Sequence, residues 1–291
     1  MARKDEQSAG FVMEYIFVAD YFLEDFRGGA EFVNEEVIKI LEKNGHSVEK
    51  IHCRNVNPQY VQKNNHKLFI ISNFMSLDIE AKESLYKVDY ILYEHDHKYL
   101  VSRNPAEYPN MRAPAQLVVS EELYQNANAV FCQSLIHKEA LEANLSDVNV
   151  INLGSSLWTS KFLNDIENIP IPPENGRAAI IEDSNPIKQQ SEAVKWCEQN
   201  NISYDLIRAE NPLELARSLS EYEYFVFFPA VLETFSRVAV EAKMVGCKVC
   251  TNQLLGAASE DWFKKERLEI ISEMKKAPKK TYDEIQKVFK I

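Results

Sequence analysis

The chain alternates short apolar segments with amphipathic ones along most of its length. Apolar runs such as YIFVADYF at 15–22 and YILY at 90–93 are typical of buried strands. Between such runs, apolar residues recur at helical spacing, as they do over 31–43, and Asn44-Gly45 is a helix stop signal. Strands joined by helices form parallel sheets with helices on both faces. The sequence therefore predicts an α/β fold.

A proline-rich connector interrupts this alternation once. Residues 155–176 contain Ile169-Pro170-Ile171-Pro172-Pro173, which cannot run as a helix and favours an extended link. The alternation restarts at Ala178. We therefore predict two Rossmann-like, doubly wound domains that face a cleft, over residues 1–158 and 159–270, followed by a C-terminal helix over 271–291. Ligands of such sheets bind at the carboxyl ends of the strands.

Composition narrows the class of protein. The chain has 291 residues, of which 45% are hydrophobic and 26% charged, as in ordinary globular proteins. A net charge of -11 argues against a nucleic-acid partner, because phosphate backbones require a cationic surface. The five scattered cysteines and the lack of a long apolar run predict a protein of the reducing cytoplasm.

The segment 225–256 (FVFFPAVLETFSRVAVEAKMVGCKVCTNQLLG) carries the strongest functional signal. It predicts a strand, a turn, a helix over Thr234–Val245 and a second strand. Glu233 and Glu241 are then roughly 12 Å apart, about the reach needed to hold both ends of a sugar nucleotide. The N–H groups of Thr234, Phe235 and Ser236 would open the helix and bind phosphate.

This segment resembles the signature of the GT-B glycosyltransferases, especially family 4, the retaining glycosyl transferases group 1. The matching residues are Pro229, the pair Glu233 and Glu241, and Gly246-Cys247. The segment Gly28-Gly29-Ala30-Glu31 before the first helix is similar to the glycine loop of the same family. The resemblance implies that the first domain lies on the acceptor side, that the second binds the nucleotide sugar, and that the last helix crosses back to the first.

The resemblance also implies roles for individual residues. Glu241 would hold the ribose diol and Glu233 the transferred sugar, while Lys188 would contact the diphosphate. The usual arginine of the Lys188 loop is missing, because Glu182 and Asp183 occupy that stretch. The candidates for the lost charge are Arg208 and Arg237. His95 follows the fourth predicted strand, where the family often has a histidine near the transferred sugar. His97 is the alternative candidate for the same role.

The predicted function is sugar transfer from a nucleotide-diphosphate sugar to a hydroxyl acceptor, of the hexosyltransferase type, with retention, in carbohydrate biosynthesis. The catalytic candidates are Glu233, His95 and Lys188; the binding candidates are Gly28, Gly29, Thr234, Phe235, Ser236, Glu241 and Arg208. No metal and no cofactor beyond the nucleotide sugar are expected. The acceptor is a glycan, a lipid-linked molecule or a small molecule.

Two other functions stay open at this point. A non-catalytic relative would bind a nucleotide sugar or a glycan without transfer. A metal-dependent hydrolase would use His95 and His97, because His-x-His supplies two ligands. The lysine-rich run 275–280 is either a solvated helix face or a peripheral membrane contact, which would suit a lipid-linked acceptor.

Overall fold

A computed structural model describes residues 12–183 and 185–290, so the outer ends of the predicted first domain and last helix, residues 1–11 and 291, lie outside it. The first half of the chain forms a six-stranded sheet in the order β2-β1-β3-β4-β5-β6, in which every strand pair is parallel. Its strands are β1 (Glu14–Ala19), β2 (Ser47–His52), β3 (Leu68–Ile71), β4 (Tyr90–Tyr93), β5 (Ala129–Cys132) and β6 (Val150–Asn152). Its helices are α1 (Gly29–Lys43), α2 (Pro58–Lys63), α3 (Ile79–Leu85), α4 (Glu121–Gln125) and α5 (Leu135–Asn144).

The second half forms a four-stranded parallel sheet in the order β10-β9-β7-β8. The strands are β7 (Arg177–Ile181), β8 (Ser203–Ile207), β9 (Tyr224–Val226) and β10 (Lys248–Cys250), and the helices are α6 (Ser160–Glu167), α7 (Gln190–Gln199), α8 (Pro212–Leu219), α9 (Arg237–Val245) and α10 (Arg267–Phe289). In both sheets the first strand lies between the second and the third. The strand order therefore reverses there, which is where α/β sheets bind ligands.

In each sheet the central strands are buried on both faces, as their continuous apolar runs require. Along β1, Ile16 and Val18 pack into one apolar cluster, whereas Tyr15, Phe17 and Ala19 pack into another on the opposite face. The second sheet is covered in the same way on its two faces. The predicted doubly wound α/β architecture is confirmed.

The linker region differs from its predicted form. The stretch 155–176 contains α6, whose Leu163 and Ile166 pack into the core of the second sheet. The prolines begin only after α6 has ended, so they do not prevent this helix. The predicted boundary at residue 158 falls between the two sheets, just before α6.

The last helix joins the two halves. At its start, Ile270, Ile271 and Met274 belong to the core of the second sheet. Farther along, Ala277 and Ile285 belong to the core of the first sheet. The helix begins at Arg267, four residues before the predicted start.

The lysines of the run 275–280 have internal partners. Lys275 pairs with Glu167 and Lys279 with Asp283, while Lys280 donates to the backbone oxygen of Leu153. Much of the charge that a membrane surface would attract is thus compensated by carboxylates, and the membrane contact stays a prediction. No helix in the described ranges is both long and apolar enough to cross a bilayer.

Candidate active site

The carboxyl ends of the two sheets face each other across a cleft that contains two adjoining cavities. The first cavity has a volume of about 570 Å³. It lies beside the loops after β1, β3 and β4, and its lining includes Asp20, Asn73, Met75, His95 and Lys98. The second has about 310 Å³, and its lining includes Gly29, Gln133, Lys188, Phe235, Ser236 and Arg237. Ala30, His95, Glu233 and Thr234 line both cavities, which therefore form one continuous space.

The loop between β9 and α9 is fixed from both domains. The Thr234 hydroxyl donates to the backbone oxygen of His95 over 2.9 Å, and the Ser134 hydroxyl donates to the backbone oxygen of Thr234 over 2.7 Å. From the second domain, the Glu233 N–H donates to the Leu254 oxygen over 2.9 Å. Gly256 lies directly beneath, so that a Cβ there would be 2.4 Å from the Glu233 oxygen. The geometry of this loop therefore depends on tertiary contacts.

The helix after this loop begins later than predicted. It starts at Arg237, and Ser236 before it has a left-handed backbone with φ 71°. Thr234–Ser236 therefore precede the helix, and the prediction that they open it is wrong. The reason is the anchoring of Thr234 to the first domain, which holds the chain out of helical geometry. In the described structure the N–H groups of Thr234, Phe235 and Ser236 still have no protein acceptor, so they remain donors at the cleft.

Three predicted site residues lie together in the second cavity. Lys188 Nζ is 2.6 Å from Glu233 Oε1, and its ammonium also lies 5.4 Å from the centre of the Phe227 ring. A short 3₁₀ turn over Pro186–Lys188, capped by the Asn185 side chain, positions this lysine. Gly29 lines the same cavity at the start of α1. The loop after β7, the loop after β9 and the glycine loop thus meet.

Glu241 lies behind this cavity instead of on its surface. It is buried, and its Oε1 accepts a 2.7 Å hydrogen bond from the indole N–H of Trp158. The Arg237 guanidinium lies 3.9 Å away, one helical turn earlier. Burial raises the pKa of Glu241, and the Arg237 charge opposes that rise. The carboxylate is therefore occupied by protein partners in this structure.

Arg237 occupies the centre of this arrangement. Its guanidinium lies 4.4 Å from the centre of the Trp158 ring and donates to the backbone oxygen of Leu157. On one side it lines the second cavity. On the other side it lines a third cavity of about 250 Å³, whose walls are mainly the apolar residues Phe32, Leu157, Trp158, Phe162, Pro212 and Leu213. Of the two arginines predicted as candidates for the missing charge, Arg237 lines the second cavity.

Of the other predicted residues, two lie apart from the cavities and one packs mainly in the core. Arg208 is exposed after β8 and lines none of these three cavities. Gly28 precedes α1 as its N-cap residue. The Phe235 ring packs between Trp158 and Trp262 in the core, so only its backbone contributes to the cleft.

His95 lies on the first-domain side of the shared space. Its Nε2 is 2.8 Å from Asn34 Oδ1, and its ring stacks on Tyr93. Burial, reinforced by the Lys98 charge, lowers the pKa of His95 to about 3. The ring is therefore neutral, and Nε2 donates to Asn34 Oδ1 in the tautomer that carries its proton there. Asn34 and Lys98, which sequence reasoning missed, come from α1 and from the loop after β4.

His97 does not line either of these two cavities. It is buried, with Nδ1 3.1 Å from the Tyr99 hydroxyl and Nε2 3.1 Å from the Leu232 oxygen. Both ring nitrogens thus have protein partners. Within the described ranges no group of three or more histidine, cysteine or acidic side chains could hold a metal ion. The hydrolase hypothesis therefore has no ligand set in this part of the chain.

We expect the protein to lose stability steeply as the pH falls below about 6.5, the ordinary pKa of histidine. Burial lowers the pKa of His97 to about 4, that of His95 to about 3, and that of His137 well below its usual value. The unfolded chain then binds more protons, and each such histidine costs about 1.4 kcal/mol per pH unit until its folded pKa is reached.

Urea unfolding at pH values between 7 and 5.5 measures this slope. His97→Asn should reduce the slope by about 1.4 kcal/mol per pH unit, one histidine's share. The matched control is His66→Asn, at an exposed position of the first domain. A slope that stays the same in His97→Asn would contradict the assignment of His97 as a buried neutral group.

Comparison with known proteins supports the architecture. No protein-family model matches this sequence, and no curated protein matches it significantly. A glycosyltransferase from Rickettsia africae is similar in structure, with a TM-score of 0.59 and 12% identity, over 96% of this chain and 99% of that one. The catalytic domain of starch synthase IV from Arabidopsis thaliana, bound to ADP and acarbose, gives 0.51 and 9% identity over 96% and 99%. The chain has the GT-B fold.

A third GT-B neighbour is Alr3699/HepE from Anabaena, solved with UDP and glucose. It has a TM-score of 0.50 and 13% identity, over 95% of each chain. At these identities the similarity establishes the fold and leaves the activity to the residues of the site. The predicted two-domain GT-B architecture is thus confirmed, whereas membership of family 4 stays a prediction.

Proposed function

We propose that the protein transfers a sugar from a nucleotide-diphosphate sugar to a hydroxyl acceptor. The observation that carries this proposal is the second cavity, where Lys188, Arg237 and the free N–H groups of Thr234–Ser236 converge beside Glu233. Cations and unpaired backbone N–H groups suit a diphosphate. The cavity continues to His95 of the opposite domain, where an acceptor could meet the sugar.

The proposed donor lies across the cavities in a defined order. Its diphosphate contacts Lys188, Arg237 and the loop amides. Its sugar lies between Glu233 and His95, whose side chains form hydrogen bonds with sugar hydroxyls. The nucleoside extends past Arg237 into the third cavity beside Trp158. Glu241 takes the ribose diol in this arrangement, for which Trp158 has to release its hydrogen bond.

The mechanism rests on positioning and on charge stabilisation. As the bond to the sugar breaks, negative charge grows on the departing diphosphate, and pre-arranged donors stabilise it. Lys188, Arg237 and the amides provide that stabilisation without a metal ion. Retention and transfer of a hexose follow from the family resemblance and belong to the proposal. The acceptor hydroxyl would lie in the first cavity.

Replacing Lys188 with alanine tests the donor site. Because charge-assisted hydrogen bonds contribute about 1.5–3 kcal/mol, we expect the Kd of the bound nucleotide to rise about tenfold or more. Calorimetric titration with UDP, ADP, GDP and their glucose conjugates measures it. Lys195→Ala, which removes an exposed lysine from α7 of the same domain, is the control and should bind like the wild type. Absence of binding by every nucleotide would contradict the proposal.

The second candidate is a protein that binds a nucleotide sugar without transferring it. The Lys188–Glu233 ion pair favours this reading, because it already neutralises the cation that a diphosphate would use. Glu182 and Asp183 in the same loop add further negative charge. Nucleotide-sugar binding with neither hydrolysis nor transfer, over days with a panel of acceptors, would decide in its favour.

A further inference from the structure

A fourth cavity, here called the outer cavity, lies beside the glycine loop outside the donor site. It has a volume of about 510 Å³ and is lined by Tyr21, Asp25, Phe26, Glu31, His52 and Arg54. Tyr21 also lines the first cavity. Glu31 Oε1 accepts a 3.2 Å hydrogen bond from Asn73, which lines the first cavity as well. The outer cavity therefore continues the space assigned to the acceptor.

Two aromatic side chains face solvent at this cavity. Tyr21 is 54% exposed and Phe26 60% exposed, and neither ring packs on another aromatic ring in the described residues. Large exposed aromatic side chains grouped at one cavity are typical of binding sites. Gly28 permits the arrangement, because a Cβ there would lie 2.7 Å from the Phe26 ring and 2.4 Å from Glu31 Oε2.

Hydrogen bonds hold the loop that carries Tyr21 and Phe26 in place. Asp25 Oδ2 accepts from the Phe22 N–H over 2.9 Å and lies 2.8 Å from His52 Nε2. The Phe26 N–H donates to the Phe22 oxygen over 3.0 Å. The rings therefore have a fixed scaffold beneath them, which lowers the entropic cost of binding.

The remaining lining residues are ionisable. Asp25, Glu31, His52 and Arg54 surround the two rings with hydrogen-bonding groups. A lipid chain placed here would remove these groups from water without a partner, at a cost of about 1–3 kcal/mol each. A pyranose ring instead offers an apolar face of C–H groups for the aromatic rings and hydroxyls for the ionisable side chains.

We propose that the outer cavity binds the second sugar unit of the acceptor, and that the acceptor is a glycan of two or more units. Its terminal hydroxyl lies in the first cavity, and the next ring stacks on Tyr21 and Phe26. This inference rests on the proposed sugar transfer, whose acceptor it specifies. It distinguishes a glycan from a monosaccharide or a lipid as the group recognised.

The test measures binding of immobilised mono-, di- and trisaccharides of glucose, galactose, mannose and N-acetylglucosamine to the purified full-length chain. We expect a di- or trisaccharide to bind about tenfold more tightly than its monosaccharide. Phe26→Ala should weaken oligosaccharide binding about three- to tenfold, the usual effect of an aromatic contact, and Phe26→Trp should retain it. The control Leu268→Ala removes a side chain that is 61% exposed on α10 and should change nothing.

Three results would overturn the inference. They are equal binding of mono- and oligosaccharides, binding of no oligosaccharide in the set, and unchanged oligosaccharide binding in Phe26→Ala. A separate experiment measures binding of the protein to phosphatidylglycerol vesicles. Vesicle binding by the wild type that is lost in Phe26→Ala would assign the cavity to a lipid. Nucleotide titration of the wild type distinguishes the failures: nucleotide binding without oligosaccharide selectivity refutes only this inference, whereas no nucleotide binding refutes the proposed function.

Discussion

Replacing Arg237 with methionine should lower the free energy of unfolding by about 3–5 kcal/mol at pH 7, the cost of leaving a buried charge without its partner. The partner is Glu241, which is buried with Trp158 as its only other polar contact in the described structure. Methionine keeps much of the arginine's apolar stem, so the loss is mainly electrostatic. The variant also loses the hydrogen bond to the Leu157 oxygen, which links the two domains.

The loss of unfolding free energy in Arg237→Met should increase with pH. Burial raises the pKa of Glu241 and the Arg237 charge lowers it, so removing Arg237 raises it further. A carboxyl whose folded pKa exceeds the unfolded value stabilises the protein at low pH and loses that contribution as the pH rises through the folded pKa. The difference between variant and wild type should therefore be smaller near pH 5 than at pH 8.

Urea unfolding of both proteins at matched pH values gives that difference directly. Adding Glu241→Gln to the Arg237→Met variant should recover part of the lost stability above pH 7, because no charge is then buried. Arg217→Met, at an exposed position of α8, is the control for arginine removal and should stay close to the wild type. A deficit of equal size at every pH would show that packing, not charge, dominates at this site.

The second large effect is expected for Gly256→Ala. The new Cβ would lie 2.4 Å from the backbone oxygens of both Glu233 and Thr234, and backbone atoms cannot rotate away as a side chain can. The β9–α9 loop must shift, at a cost in stability of about 1–3 kcal/mol. Because Glu233 and the Thr234 amide move with that loop, the proposed sugar transfer should fall about a hundredfold, as expected for a misplacement of about 1 Å.

Gly29→Ala is the matched control for this substitution. Gly29 lines the same cleft, but a Cβ there would be 3.5 Å from the nearest atom, the Arg237 Cδ, which is an ordinary contact. Alanine at the first turn of α1 should leave the stability unchanged or raise it by about 0.5–1 kcal/mol. Thermal unfolding of both variants measures the difference in stability, and release of nucleotide from a bound nucleotide sugar measures the difference in the proposed transfer. Equal behaviour of the two would rule out the predicted clash beneath Glu233.

Local sequence patterns predicted most of the fold because the element boundaries have local causes. The strand Tyr90–Tyr93 has the predicted bounds, since polar residues flank its apolar run on both sides. The helix Pro58–Lys63 was missed because it is short, although Asn57-Pro58 is an N-cap signal. The helix Ser160–Glu167 lies in the stretch predicted as a connector, because the prolines that indicate an extended link follow this helix instead of interrupting it.

The candidate site was predictable only where local spacing determines it. The spacing of Arg237 and Glu241 by one helical turn indicates an ion pair, which the structure has. By contrast, the bond of Glu241 to Trp158 joins residues 83 positions apart and has no local signal. The left-handed Ser236 likewise depends on the anchoring of Thr234 to His95 and Ser134, which lie in the other domain.

The C-terminal helix has a consequence for the order in which the chain can fold. Ala277 and Ile285 complete the apolar core of the first sheet, where Phe289 packs near Tyr15 and the Tyr282 hydroxyl lies 2.9 Å from His46 Nε2. During synthesis these residues emerge only after the whole second sheet. The apolar core of the first domain therefore cannot pack completely until the second domain has been synthesised. This protein thus departs from the usual order, in which the N-terminal domain folds first.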